Sequence, residues 1–104
     1  MSQHIFNTSH EGQPVTIMMG WDRPLQGYFL VVMTDDEAQE RYIYSNLKDP
    51  VLTGCNGLPE SIEYFCEKLT ELGIEVPAEM LEGVEMDGIF NVGNKIAHYA
   101  LART

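Results

Sequence analysis

The clearest chemical pattern in the chain is a series of four glutamates, Glu60, Glu63, Glu67 and Glu71. On an α-helix, their spacing of three, four and four residues puts them within about 80° of one another. Like charges at this spacing repel, and Lys68 relieves only a little of the repulsion. Three interpretations remain open: a solvated face that keeps a small protein soluble, a docking face for a basic partner surface, or a metal-carboxylate site, although no calcium loop of the EF-hand type is present in the sequence.

The segment from Met18 to Phe29 is the second distinctive feature, because it holds the only tryptophan beside an Asp-Arg pair. Trp21 and Arg23 belong to residue types that dominate binding hot spots, which predicts a binding loop that presents both side chains. A structural interpretation is also open, in which Trp21 caps the edge of a sheet and Asp22 fixes the turn through its own backbone.

The same segment carries a resemblance. The string GWDRPLQGYF at residues 20–29, followed by YIYSNL at residues 42–47, resembles segments of small uncharacterised bacterial proteins. The similarity covers about residues 5–50, and a Gly-Ile-x-Val/Leu-Pro element such as residues 73–77 follows it. The resemblance implies a bacterial origin and a role for the hairpin, and it brings no catalytic residue to this chain.

The other reactive side chains give little support to catalysis or metal binding. Cys55 and Cys66 lie eleven positions apart and, with three scattered histidines, match no zinc pattern such as paired C-x-x-C. A nucleophilic thiol needs electropositive surroundings, whereas those of Cys55 are acidic, and Cys66 is expected to be a small core residue. Phosphate-binding glycine motifs are absent from the sequence. We therefore expect no catalytic residue, no metal and no cofactor, and a protein that is not an enzyme.

The 104 residues carry a formal net charge of −10, which is unevenly placed. Residues 1–34 hold two acids and one base, a net of −1, whereas residues 35–104 hold fourteen acids and five bases, a net of −9. This balance argues against direct binding to DNA, RNA or anionic lipid, and it permits a partner protein with a basic surface. The chain has neither an export signal nor the ~20 apolar residues of a membrane span, so we expect a cytoplasmic protein.

Two periodicities indicate the elements that position these residues. Alternating or continuous apolar runs predict strands at residues 3–8, 15–21, 28–33 and 41–46, joined by short turns that favour antiparallel neighbours. The apolar run 28–33 is typical of a central strand that is covered on both faces.

The second half of the chain changes to the helical period. An apolar stripe predicts a helix that begins at Pro59 and ends near Gly73; its members are Ile62, Phe65, Cys66, Leu69 and Leu72. A second, shorter helix is expected from Val76 to about Gly88. Residues 89–104 fit a strand or a helical turn, and we expect a loop followed by a short helix from Asn94.

These patterns predict one α+β domain, strand-rich over residues 1–46 and helix-rich and acidic over residues 58–104. The predicted fold is an antiparallel meander of about four strands with two to three helices packed on one face. The predicted function is non-enzymatic docking of a basic partner surface by Trp21, Arg23 and the glutamate series, with nucleic-acid mimicry or inhibition as one form. The alternative is a homodimeric accessory subunit that associates through the apolar sheet and the Trp21 hairpin. A small hydrolase-type enzyme is the third hypothesis.

Overall fold

The computed structural model describes residues 1–34, 42–55 and 58–99, apart from the side chains of residues 53 and 55. The strands are β1 (Ser2–His10), β2 (Gln13–Asp22), β3 (Gly27–Thr34), β4 (Tyr42–Ser45) and β5 (Lys95–Tyr99). The α-helices are α1 (Glu63–Glu71) and α2 (Ala78–Ile89), and short 3-10 helices span Asn46–Lys48 and Pro50–Cys55. Within these ranges, no helix is both long and apolar enough to span a membrane.

The strands form one sheet in the order β4-β3-β2-β1-β5. As predicted, β1 to β4 form an antiparallel meander. β5 lies parallel to β1 at the edge, so the α+β fold has a mixed sheet of five strands rather than a purely antiparallel one of four. The expected helix from Asn94 is therefore wrong. Without β5, the edge of β1 would present a row of unpaired N–H and C=O groups, and residues 95–99 pair with them.

The turn between β1 and β2 sets the register of the sheet. Glu11 and Gly12 have φ of 52° and 81°, and two successive positive φ angles are those of a type I′ hairpin turn, whose twist matches the strands. The resulting register pairs Phe6 with Ile17, and Ile17 with Val32 on the next strand. All three side chains are buried on the face that packs against the helices, where the core lies.

The predicted apolar stripe of α1 packs against the core: Phe65 is 0% and Leu69 3% exposed, and Cys66 and Leu72 are partly buried. The helix begins at Glu63 rather than at Pro59, because the Pro59 carbonyl accepts a 3.0 Å hydrogen bond from the N–H of Tyr28 and is held beside β3. α2 has twelve residues against nine in α1, so the expectation that the second helix is the shorter is also wrong.

Two glycines let α2 lie close to the sheet. A Cβ atom at Gly88 would stand 2.0 Å from the hydroxyl of Tyr28, and one at Gly83 would stand 2.7 Å from the hydroxyl of Tyr99. A larger side chain at either position would push the helix away from the sheet. The close approach brings the polar side chains of α2 within hydrogen-bonding distance of β1 and β5.

Candidate functional site

The helical half of the chain presents an unbroken series of acids to solvent, which we call the acidic layer. All eight glutamates between residues 60 and 85 are exposed. They are Glu60, Glu63, Glu67, Glu71, Glu75, Glu79, Glu82 and Glu85. The only basic residue in that span is Lys68, whose Nζ lies 3.2 Å from Glu71. Residues 60–85 therefore carry eight acids against one base, a net of −7.

Three of the predicted site residues share one ridge of α1. Glu63, Glu67 and Glu71 are all exposed and belong to one nine-residue helix whose opposite side is buried. Four residues of α-helix rise about 6 Å, so the carboxylates follow one another at roughly that interval. Glu60 is exposed but precedes the first turn of α1, so the helical spacing does not place it on this ridge.

A groove of about 370 Å³ separates α1 from the start of α2. Its floor is mostly apolar, and its lining consists of Cys66, Leu69, Thr70, Gly73, Ile74, Glu75, Val76 and Leu81. Burial raises the pKa of the Cys66 thiol, and the nearby carboxylates of Glu85 and Glu63 raise it further. Cys66 is half-buried against the core, as expected of a small core residue, and its thiol stays protonated. The acids thus stand beside an apolar depression.

The structure places Trp21 inside the protein instead of presenting it to a partner. Its side chain is 7% exposed, its indole N–H donates a 3.0 Å hydrogen bond to Asn91 Oδ1, and its ring meets that of Tyr28 edge-on at 4.9 Å between centroids. Trp21 lies on the same face of β2 as the other core residues of that strand. The hypothesis that Trp21 is an exposed binding anchor is therefore wrong.

The turn after Trp21 has the structural role that the second interpretation gave it. Asp22 Oδ1 accepts a 3.2 Å hydrogen bond from the backbone N–H of Leu25, which closes the turn. Arg23 is exposed, and its guanidinium would stand 3.3 Å from a Cβ atom at Gly93. Arg23 thus lies beside the segment that leads into β5. Because Trp21 is buried, Arg23 and Trp21 do not form the exposed pair that the binding-loop hypothesis required.

A buried polar network joins α2 to both neighbouring strands. His4 is 0% exposed; its Nε2 lies 2.5 Å from Asp87 Oδ2 and its Nδ1 2.7 Å from the Tyr99 hydroxyl. Lys95 donates a 3.1 Å hydrogen bond to Asp87 Oδ1. Burial alone would raise the pKa of Asp87, but hydrogen bonds from His4, Ser2 and Lys95 outweigh it and hold the pKa below its usual value.

Both ring nitrogens of His4 are therefore engaged by other protein groups. With its proton on Nε2, the ring donates to Asp87 and accepts a hydrogen bond from the Tyr99 hydroxyl. A fully buried histidine with two protein partners holds strands and helix together, and it has no free nitrogen for a substrate. This network could not be predicted from sequence spacing, because His4 and Asp87 are 83 positions apart.

A second polar cluster ties α1 to the edge of the sheet. The hydroxyls of Tyr44 and Tyr64 each donate a 2.7 Å hydrogen bond to Asp49 Oδ2, and the N–H of Val51 donates one of 3.0 Å to Oδ1. Lys68 Nζ lies 5.3 Å from the ring centroid of Tyr64. Burial would raise the pKa of Asp49, but these hydrogen bonds lower it, while burial and Asp49 raise the pKa of Tyr44.

The cleft beside this cluster has a volume of about 580 Å³, which is larger than that of the groove between α1 and α2. Its lining consists of Tyr42, Ile43, Tyr44, Ser45, Lys48, Asp49, Pro50 and Lys68. Both oxygens of the buried Asp49 already accept hydrogen bonds, and the phenol of Tyr44 stays protonated at neutral pH. Asp49, Tyr44 and Tyr64 thus hold α1 against β4, and none of these three side chains is a free base or nucleophile.

The cysteines and histidines are the remaining side chains that could bind a metal ion or act as nucleophiles. In the ranges that the structure describes, no group of three or more His, Cys, Asp or Glu side chains is placed to hold a metal ion. The thiol of Cys55 lies outside the described part of the chain. Comparisons with family models, with curated proteins and with solved structures found no match. The function is therefore inferred from the surface of this chain alone.

Proposed function

We propose that the chain is a non-enzymatic interaction protein whose acidic layer docks a basic surface of a partner protein. The groove between α1 and α2 is the observation that carries the proposal, because it puts an apolar floor among carboxylates. Glu75 lines the groove, and Glu63 and Glu85 stand close enough to raise the pKa of the thiol within it. Apolar contact surrounded by charge is the usual composition of a protein interface.

The groove also predicts the kind of segment that binds. A complementary segment is amphipathic: an apolar side chain enters between Leu69 and Leu81 while lysines and arginines meet the surrounding glutamates. In the sequence-based hypothesis this chain supplied the apolar anchor through Trp21. The burial of Trp21 removes that anchor, so in the revised proposal the partner supplies it and this chain supplies the depression.

The charge of the acidic layer supports fast, steered association. A net of −7 over residues 60–85 attracts a basic partner before contact, and salt weakens that attraction because the Debye length is only about 8 Å at physiological ionic strength. The nucleic-acid-binding face of another protein is one such partner surface, since it is built from clustered lysine and arginine. Occupation of that face would inhibit it by mimicry of nucleic acid.

The test uses a fluorescent amphipathic peptide of leucine and lysine, with leucines at helical i, i+3, i+4 and i+7 spacing. We expect its fluorescence anisotropy to report binding that weakens between about 50 and 300 mM salt. Replacement of the ridge glutamates of α1 by glutamine should weaken binding about ten-fold or more. The matched control removes three exposed charges that neither line the groove nor act on the Cys66 thiol. The ridge set is Glu63, Glu67 and Glu71, and the control set is Glu11, Glu79 and Glu82.

Three outcomes separate the parts of the proposal. Affinity that does not change with salt would overturn the electrostatic part. If both sets of glutamine substitutions weaken peptide binding equally, the affinity depends on the net charge of the protein and not on the glutamates of the α1 ridge. The third outcome concerns a peptide whose leucines are replaced by serine. If it binds as tightly as the original, the groove lined by Val76 and Leu81 is not the binding site of the leucines.

A further inference from the structure

The sheet has a second face, which neither helix covers and which we call the open face. Strand alternation puts six large apolar side chains there: Ile5, Met18, Phe29, Val31, Met33 and Ile96. None of the six belongs to the core cluster that the strands form with α1 and α2. Ile5, Met18, Val31 and Met33 are partly exposed, and Ile96 is 67% exposed. Phe29 is buried, so the other five side chains form the accessible part of this face. The expectation that residues 28–33 are covered on both faces is thus wrong for Val31 and Met33.

The register of the sheet aligns these side chains into one apolar surface. His98, Ile5, Met18, Val31 and Ser45 face one another in a single row across all five strands. No Asp, Glu, Lys or Arg of the described strands projects from this face between the strand ends. The centre of the row is therefore apolar, and its two ends are the polar residues His98 and Ser45.

We propose that the open face is a homodimer interface, on which a second copy of the chain packs its own sheet about a two-fold axis. An apolar surface without Asp, Glu, Lys or Arg between its strand ends can pack against its own copy, as a two-fold interface requires. Larger apolar patches on small proteins mark interaction surfaces, and stacked sheets pack about 10 Å apart through interdigitated side chains.

The distribution of charge selects a second copy as the occupant. Two molecules of net charge −10 repel wherever an acidic layer faces the other copy. Sheet-to-sheet packing is the arrangement that turns both acidic layers outward, on opposite sides of the dimer. The protein measures 24 Å along its shortest axis, so the two layers then lie much further apart than the Debye length of about 8 Å.

The area of the open face indicates how tight this dimer is. Five strands about 4.8 Å apart, with about seven residues each at about 3.3 Å, cover roughly 550 Å² in projection. The relief of the side chains raises the accessible area toward the ~800 Å² per partner of a standard interface. This puts the dimer at the smaller end of stable interfaces, so we expect dissociation in the micromolar range.

Sedimentation velocity of the full chain tests the proposal. From about 1 to 100 µM, the mass should rise from the monomer value of 11.8 kDa toward twice that value. Val31→Lys puts a charge at the centre of the open face and should abolish the dimer. Ile96→Lys changes a side chain that is 67% exposed, so it should fold normally and still weaken the dimer about ten-fold. Ala78→Lys adds the same charge to the exposed start of α2 and serves as the matched control.

The two proposals predict opposite effects of salt. Salt should strengthen self-association, because it screens the repulsion between two acidic molecules, and should weaken binding of the basic peptide. Wild-type protein that stays monomeric at about 100 µM overturns the dimer, and so does a dimer that survives both Val31→Lys and Ile96→Lys. Loss of the dimer in Ala78→Lys would place the contact on the helices instead. Peptide binding retained in folded Ile96→Lys shows that the proposed function stands independently.

Discussion

Asp87→Ala is expected to destabilise the protein by about 1–3 kcal/mol, the usual cost of leaving a buried hydrogen-bond donor without its acceptor. The Asp87 side chain is 3% exposed and accepts hydrogen bonds from His4 and Lys95. Its loss leaves His4 Nε2 without its partner at a site that is 0% exposed, whereas the partly exposed Lys95 can turn to water. The expected cost therefore comes mainly from the histidine.

Such a loss is large for a domain of this size. Domains of this size have total stabilities of about 5–15 kcal/mol, and about 4 °C of melting temperature accompanies each kcal/mol. The variant should therefore melt about 4–12 °C below the wild type. The buried indole of Trp21 reports unfolding by fluorescence, and urea titration gives the free energy of unfolding. The control is Glu82→Ala, an exposed change on the same helix that should leave the urea midpoint almost unchanged.

The pH dependence gives the same prediction an independent check. The pKa of Asp87 is lowered in the folded protein, so its contribution is present above the unfolded carboxyl pKa of about 3.9 and is lost as the pH falls through the folded value. The stability difference between wild type and Asp87→Ala should therefore shrink in acid. A double variant, His4→Leu with Asp87→Leu, should cost less than the sum of the two single changes. An Asp87→Ala protein as stable as the wild type at pH 7 would refute the reasoning.

Three further predictions concern packing and the polar clusters. Gly88→Ala should lower the urea midpoint, because its Cβ atom would stand 2.0 Å from the Tyr28 hydroxyl. Asp49→Asn should make the free energy of unfolding depend less on pH in acid. The pKa of Asp49 is lowered in the folded protein, so its ionised carboxylate stabilises the fold above about pH 4, and this stabilisation is lost below that pH. In a Cys55→Ser background, Cys66 should react with iodoacetamide more slowly than a free thiol at pH 8, and more slowly still with the basic peptide bound.

Each of these has a control or a contradicting outcome. Gly54→Ala is the control for Gly88→Ala, because no atom lies within 4 Å of a Cβ at that position. If the free energy of unfolding of Asp49→Asn falls in acid as steeply as that of the wild type, the hydrogen bonds to Asp49 do not favour its ionised form. Alkylation of Cys66 that the bound peptide leaves unaffected would place the peptide outside the groove.

The elements that the sequence predicted correctly are those whose periodicity reflects local burial. The stripe that includes Phe65 and Leu69 marks a helix against the core, and the alternation through Ile17 marks a strand. The sequence did not predict β5, because its alternation of apolar and polar residues is weak and Lys95, Ile96 and His98 are all exposed. Its strand conformation comes from pairing with β1, a tertiary contact that local propensity does not contain.

The prediction of the site failed for a different reason. Residue type suggested that Trp21 binds a partner, whereas its position on the alternating strand put it with Val15 and Ile17 on the buried face. Position is the stronger evidence, because one face of a strand is buried as a unit. The groove beside Cys66 could not be predicted from spacing, since its two walls belong to helices whose relative placement depends on the glycines of α2.

The two proposed surfaces together limit how the protein can engage its partners. A dimer joined through the open face turns its acidic layers to opposite sides, so the two layers cannot both contact one flat basic surface. Avidity requires that both sites be reached at once, and this geometry forbids it for a compact partner. Dimerisation should therefore leave the affinity for a single basic domain unchanged and allow the dimer to link two such domains. Ile96→Lys, which keeps the acidic layer intact, should abolish the linking while the affinity for one domain remains.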